Sequence, residues 1–185
     1  MSKRSRSFLL VVIVLAGIIA IVFLLLSKRT KAPETFYDRH MTITSPSFLH
    51  SASIPKQFTC DGENINPELR ISGVSQNAKS VALIVDDPDA PRGTFTHWLL
   101  WNIGPQISSI AENSVPSGTV QGQNDAGRIG YIGPCPPSGT HRYFFKLYAL
   151  DAALNLPSGA EKSSLEAEIN AHLLGKAELI ALYQR

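Results

Sequence analysis

The sequence predicts a mostly β domain behind an apolar segment long enough to enter a membrane. Val81 to Val85 is an unbroken apolar run between polar residues, the pattern of a strand covered on both faces, as in a sandwich interior. Two longer runs rich in aromatic and apolar residues, Thr94 to Ile103 and His141 to Leu150, read as further strands. The stretch from Phe58 to Gly73 carries Asp-Gly, Asn-Pro and Ser-Gly steps, which mark loop with short strand pieces.

The 185 residues divide into four parts. Residues 1–7 are basic, residues 8–26 form a transmembrane anchor or signal segment, residues 27–40 are a polar linker, and residues 41–185 are the domain. Phe8 to Leu26 holds no charged or strongly polar side chain, and at about 1.5 Å per residue such a run nearly crosses a hydrocarbon core of roughly 30 Å. Lys3, Arg4 and Arg6 would also suit a signal peptide. Leu24, Leu25 and Leu26, however, run straight into Ser27, Lys28 and Arg29 instead of a small-residue cleavage site, which favours an uncleaved anchor over secretion after cleavage. Basic residues flank both ends of the segment, so the positive-inside rule does not choose an orientation.

Charge narrows the partners. Six of the 17 basic residues lie in the first 31 positions with no acid among them; the remaining 11 face 15 acids, leaving the rest of the chain at −4. A nucleic-acid-binding domain should carry a basic face, so this balance argues against nucleic acid.

In chain order, Met41 to Ile43 and Phe48 to Leu49 are short β-type runs. After the strand Val81 to Val85 comes DDPDAP, where Pro88 and Pro91 restrict Asp87 and Ala90 and place the Asp87 and Asp89 carboxylates on a stiff backbone. Asp-Pro-Asp is equally a plain turn initiator. In the strand Thr94 to Ile103, alternation puts His97, Leu99, Trp101 and Ile103 on one face, with Trp98 and Leu100 on the other. From about Gly104 to Gly139 glycine and proline are too frequent for regular structure, which predicts an ordered binding loop. In His141 to Leu150, alternation sets His141, Tyr143, Phe145, Leu147 and Ala149 on one face. The chain should close on a helix capped by Ser163 or Ser164, with Glu166 and Glu168 in its first turn and a stripe of Leu165, Ile169, Leu173, Ala177 and Ile180.

These elements bring chemistry together at strand ends. A carboxylate accepting from one imidazole nitrogen fixes the tautomer and favours the protonated ring, leaving the other nitrogen to face a ligand. An imidazole and a phenol two residues apart, His141 and Tyr143, can jointly donate to an oxyanion. Cys60 and Cys135 sit in turn-rich loops without CxxC spacing, so no zinc site is expected. Their even number beyond a membrane segment predicts a disulfide; two separate buried thiols are the alternative. No nucleotide-binding spacing occurs in the glycine-rich loop, and no cofactor is expected.

DDPDAP with GTFTHW, then GYIGPCPPSGTHRYFFKLYALD and a final KAELIALYQR, resemble the phosphatidylethanolamine-binding protein family, in particular its bacterial Raf-kinase-inhibitor-like branch, from about Met41 to Arg185. The resemblance implies two antiparallel sheets in a Greek-key β-sandwich with a few peripheral helices. It also implies a small pocket for phosphate-like or carboxylate groups, built from Asp87, Asp89, Pro91, His97, His141 and Tyr143, with the backbone near Gly133 to Cys135 completing it. Phe95 stands where some eukaryotic members have tryptophan. The expected function is a membrane-anchored or exported module, its domain on the extracytoplasmic side. It would hold a small anion and act on a protein partner, as an inhibitor or regulator. The alternative is a metal- or His-Asp-dependent hydrolase using the same pocket.

Overall fold

The computed structural model describes residues 41–185. Nine strands and one α-helix are found among the described residues: β1 (Thr42–Thr44), β2 (Ala52–Ser53), β3 (Leu69–Ser72), β4 (Ser80–Asp87), β5 (Phe95–Ile103), β6 (Ser109–Ile110), β7 (Val120–Gln121), β8 (Thr140–Leu150), α1 (Lys162–His172) and β9 (Leu173–Gln184). A single 3₁₀ turn, Lys56–Phe58, follows β2. The expected membrane segment lies outside the described residues, among which no helix is long and apolar enough to cross a membrane.

The strands form a three-stranded sheet, β1-β3-β6, and a six-stranded sheet, β2-β9-β8-β4-β5-β7. Every pairing is antiparallel except β2 with β9, which is parallel. Two sheets were expected, but wholly antiparallel ones and a few helices were not what formed.

The continuous apolar run of β4 has the predicted cause. All its residues are buried. Val81, Leu83 and Val85 face a core shared with Ile43, Leu69, Ile71 and Ile110 of the small sheet. Ala82 and Ile84 face a second core capped by Leu165 and Ile169 of α1. A strand buried on both faces has no polar positions to spare, which is why its alternation is silent in the sequence. In β8 the predicted alternation holds, with Tyr143, Phe145, Leu147 and Ala149 in the core between the sheets.

The C-terminal prediction needs correcting. The helix begins at Lys162 without a side-chain cap and has no acid in its first turn. It stops at His172, and Leu173 starts a strand that pairs with β8 along its whole length. Ala177, Leu179 and Ala181 alternate toward the inter-sheet core, and Ala177 also fits an i, i+4 stripe, so the segment satisfies both periods. Pairing with the eleven-residue β8 decides for the strand, and Gly175, which costs a helix about 1 kcal/mol, sits opposite Ala149. Phe48 and Leu49 also form no strand: Phe48 is buried and Leu49 exposed, and pairing falls to Ala52–Ser53.

Candidate functional site

The site lies where β4, β5 and β8 end beside the loop that precedes β8. Strict alternation fails in β5, and the failure builds the site. Val85 pairs with Trp98 and Asp86 with Thr96, so His97 is an extra residue opposite a register shift. Such a bulge re-aims a side chain. Instead of following Leu99 and Trp101 under the helix, His97 turns to the other face, its ring 5.2 Å from that of Tyr143 and 4.9 Å from that of Phe95. A second shift, with Asn102 at φ 57°, likewise moves Ile103 to the inter-sheet core. Asn102 is held there by its side chain, which donates to the Leu154 carbonyl and accepts the Leu154 N–H.

The bulge also locks His97 to the loop. Its carbonyl accepts the Ile132 N–H at 3.1 Å and its Nδ1 donates to the Ile132 carbonyl at 2.7 Å. From the opposite side, His141 Nδ1 donates to Asp87 Oδ2 at 2.7 Å. Asp87 is itself fixed, because its Oδ1 accepts the Asp89 N–H at 2.8 Å within the Pro-stiffened turn.

A cavity of about 180 Å³ opens between them. Asp87, Pro91, His97, Gly133 and His141 of the expected set line it, joined by Phe95, Ile132, Cys135 and Pro137. It is smaller than the roughly 300–1,000 Å³ of drug-sized pockets, so it suits a group of a few atoms.

Two expected members are placed elsewhere. Asp89 turns to the rim and binds Arg142 through the backbone N–H, Nε and Nη2 at 3.0, 2.9 and 2.7 Å. Those contacts lower its pKa to about 2, against a smaller opposing effect of burial. Tyr143 lies in the core below the lining. Its fully buried hydroxyl sits within electrostatic reach of Asp87 and of the Cys135 backbone but completes no hydrogen bond. Burial, followed by the Asp87 charge, raises its pKa.

The loop backbone behaves differently from expectation. Gly133 is needed for close approach: a Cβ there would meet the Phe58 carbonyl and stand 2.8 Å from Thr59 Cα. Its N–H, however, is spent on Asn64 Oδ1 at 2.7 Å instead of facing the pocket. Cys60 and Cys135 are joined, with their Cα atoms 5.4 Å apart, so the thiol alternative falls. Among the described residues no group of three or more His, Cys, Asp or Glu gathers as metal ligands; Asp89, the second carboxylate of that alternative, is committed to Arg142.

A family model described as phosphatidylethanolamine-binding protein matches residues 44–184. The chain belongs to the phosphatidylethanolamine-binding protein family. Among its relatives, a UPF0098 protein of Methanothermobacter thermautotrophicus is 51% identical over 150 residues, covering 78% of this chain and 99% of that one. A UPF0098 protein of Pyrococcus abyssi is 49% identical over 154 residues, 78% of this chain and 86% of that one. The crystal structure of a Chlamydia trachomatis protein, described as a homologue of phosphatidylethanolamine-binding protein, aligns with a TM-score of 0.75 at 41% identity over 78% of this chain and 97% of that one. Escherichia coli YbcL, described as a new member of the mammalian family, aligns with a TM-score of 0.74 at 30% identity over 78% and 98%.

In this member of the phosphatidylethanolamine-binding protein family, burial lowers the pKa of His97 below its usual 6.5, outweighing the Ile132 hydrogen bond and the charge of Asp87. The unfolded chain therefore takes up the His97 proton first as pH falls. The stabilisation is complete above about pH 6.5 and is lost as pH drops through the lowered folded value, at up to about 1.4 kcal/mol per pH unit. Urea unfolding at pH 7.5, 6.5 and 5.5 should give falling stability in the wild type and a flatter profile in His97→Gln; parallel profiles would remove this role.

Two further parts of the site carried little sequence signal. Asn64, at φ 60°, reaches across from the early loop to hold Gly133, and Arg142 fixes the Asp89 turn. Each depends on a contact across more than fifty residues, which local pattern does not record.

Proposed function

We propose that this chain is a binding module for a small phosphate- or carboxylate-bearing group, held between His97 and His141. One observation carries the reading: two imidazoles from separate strands converge on one small cavity, each with Nδ1 fixed by its own acceptor. Rings held in this way present Nε2 to a ligand without rotamer searching, which lowers the ordering cost of binding. Asp87 is the orienting group for His141. Tyr143 supports the ring of His97 from below, and Asp89 with Arg142 stiffens the turn.

The disulfide supports placing the domain in an oxidising compartment outside the cytoplasm, tethered or exported through the apolar segment 8–26. A regulatory action on a protein partner is part of this reading and rests on the family resemblance alone. Alkaline carbonate extraction of membranes tests the tether: release of intact protein into the supernatant would remove it.

Titration calorimetry with inorganic phosphate and O-phosphoethanolamine between pH 5 and 8 tests the pocket. Saturable one-to-one binding that strengthens as pH falls is expected. His141→Ala should weaken it by about ten- to a hundredfold, the worth of one hydrogen bond to a charged group. Heats indistinguishable from dilution at every pH would end the reading. The Asp87–His141 pair also has the geometry of an oriented general base. Turnover of phosphate or carboxylate esters that is lost in His141→Ala as well as in His97→Ala would move the assignment to a hydrolase.

A further inference from the structure

We infer that the pocket accepts its oxyanion in a form that still carries a proton, so that phosphate and phosphate monoesters bind near neutral pH and sulfate does not. The inference rests on the anion-binding reading above and names which anions satisfy it. Its ground is the direction of the hydrogen bonds. A carbonyl oxygen only accepts, so the bond to Ile132 requires the His97 proton to be on Nδ1. The Asp87 carboxylate makes the same demand of His141. In the His97 ring, which burial keeps toward the neutral form, the remaining nitrogen, Nε2, is therefore a lone pair and not a donor.

Donors are scarce around that lone pair. Among the described residues lining the cavity there is no lysine or arginine. Pro91 and Pro137 have no N–H, and the amides of Ile132 and Gly133 donate to His97 and Asn64. Arg142 is held by Asp89, and Arg185, which reaches the Cys135 sulfur, is paired with Asp61. The charges acting on His97 are Asp87 and Asp86 from β4 and Asp125 from the adjacent loop, all negative, and Tyr143 packs against its ring. A fully ionised oxyanion would face the His97 lone pair and the carboxylates around it. One with a remaining O–H donates it to Nε2, so that the ligand supplies the missing hydrogen atom itself. Burial of His97 opposes the other route, in which the ring takes up the proton from water.

Phosphate monoesters have a second pKa of about 6 and keep such a proton through part of the physiological range. Sulfate is fully ionised throughout it. The test is calorimetry on the full-length chain in non-ionic detergent, with O-phosphoethanolamine, inorganic phosphate and sulfate as probes. The affinity for O-phosphoethanolamine should rise about tenfold from pH 7 to pH 5, following its protonated fraction. Sulfate should bind at least tenfold more weakly than inorganic phosphate at pH 7. Sulfate within twofold of phosphate overturns the inference and leaves the anion-binding reading intact, whereas no binding of any probe at any pH sinks both.

Discussion

Replacing Cys60 and Cys135 together by serine should lower the unfolding free energy by about 4 kcal/mol. The bridge spans a sequence separation of 75, and closing a loop of that size in the unfolded chain costs about this much conformational entropy. Against a total of roughly 5–15 kcal/mol for a domain, the loss is large enough to move a urea midpoint by about 2 M at an m-value near 2 kcal/mol per M.

The same variant separates two parts of the pocket wall. As far as Pro134 the loop is held by other means: Tyr131 Oη donates to the Phe58 carbonyl, Ile132 pairs with His97, Gly133 donates to Asn64, and the Pro134 carbonyl accepts the Cys60 N–H. Cys135 has the bridge, one weak contact from Arg185 to its sulfur and its backbone near the Tyr143 hydroxyl. Loss of the bridge should therefore loosen the stretch that carries Cys135 and Pro137 while the Ile132–His97 lock survives. Hydrogen exchange should show faster exchange after Pro134, with the Ile132 amide still protected. A stability loss under 1 kcal/mol would mean that the unfolded chain is already compact between the two cysteines. Fast exchange at Ile132 would mean that the lock depends on the bridge.

What was legible in the sequence was whatever a local pattern determines. The run Val81 to Val85 announced a strand buried on both faces, and the alternation from His141 to Leu150 assigned its faces correctly. Asp87 and His141 could each be singled out because each stands at a strand end beside a rigid turn, but that Asp87 orients His141 came only from the structure. The bulge at His97 was not legible: Trp98 to Trp101 is apolar on both faces, so this run does not show which face His97 takes. Nor was β9, where Leu173 to Tyr183 fits a helical stripe and a strand equally well until β8 supplies a partner. Asp89 resembled Asp87 in every local respect, and only the position of Arg142 across the turn separates them.

Asp86 was passed over for the same reason, and its replacement should be the most damaging single change in the large sheet at a residue outside the cavity lining. Asp86 and Asp87 are neighbours on β4 and so point to opposite faces. Asp87 meets His141, while Asp86, fully buried, meets Lys146 of β8 at 2.9 Å and Lys162 at the start of α1 at 2.6 Å. It ties the helix to the sheet beside the second core. Removing one partner of a buried ion pair usually costs about 3–5 kcal/mol. Here the lysine side chains keep 30% and 21% of their exposure and can turn toward water, so Asp86→Asn should cost about 2–3 kcal/mol. Lys162→Met should cost less than half of that, because Lys146 still neutralises the carboxylate. Because the Asp86 charge also reaches His97, phosphate affinity in Asp86→Asn should change by a few-fold at most, while Asp87→Asn does the reverse, sparing stability and weakening binding more strongly. Equal losses of affinity in the two variants would show that the structural and ligand-facing roles of the acidic pair cannot be divided between its faces.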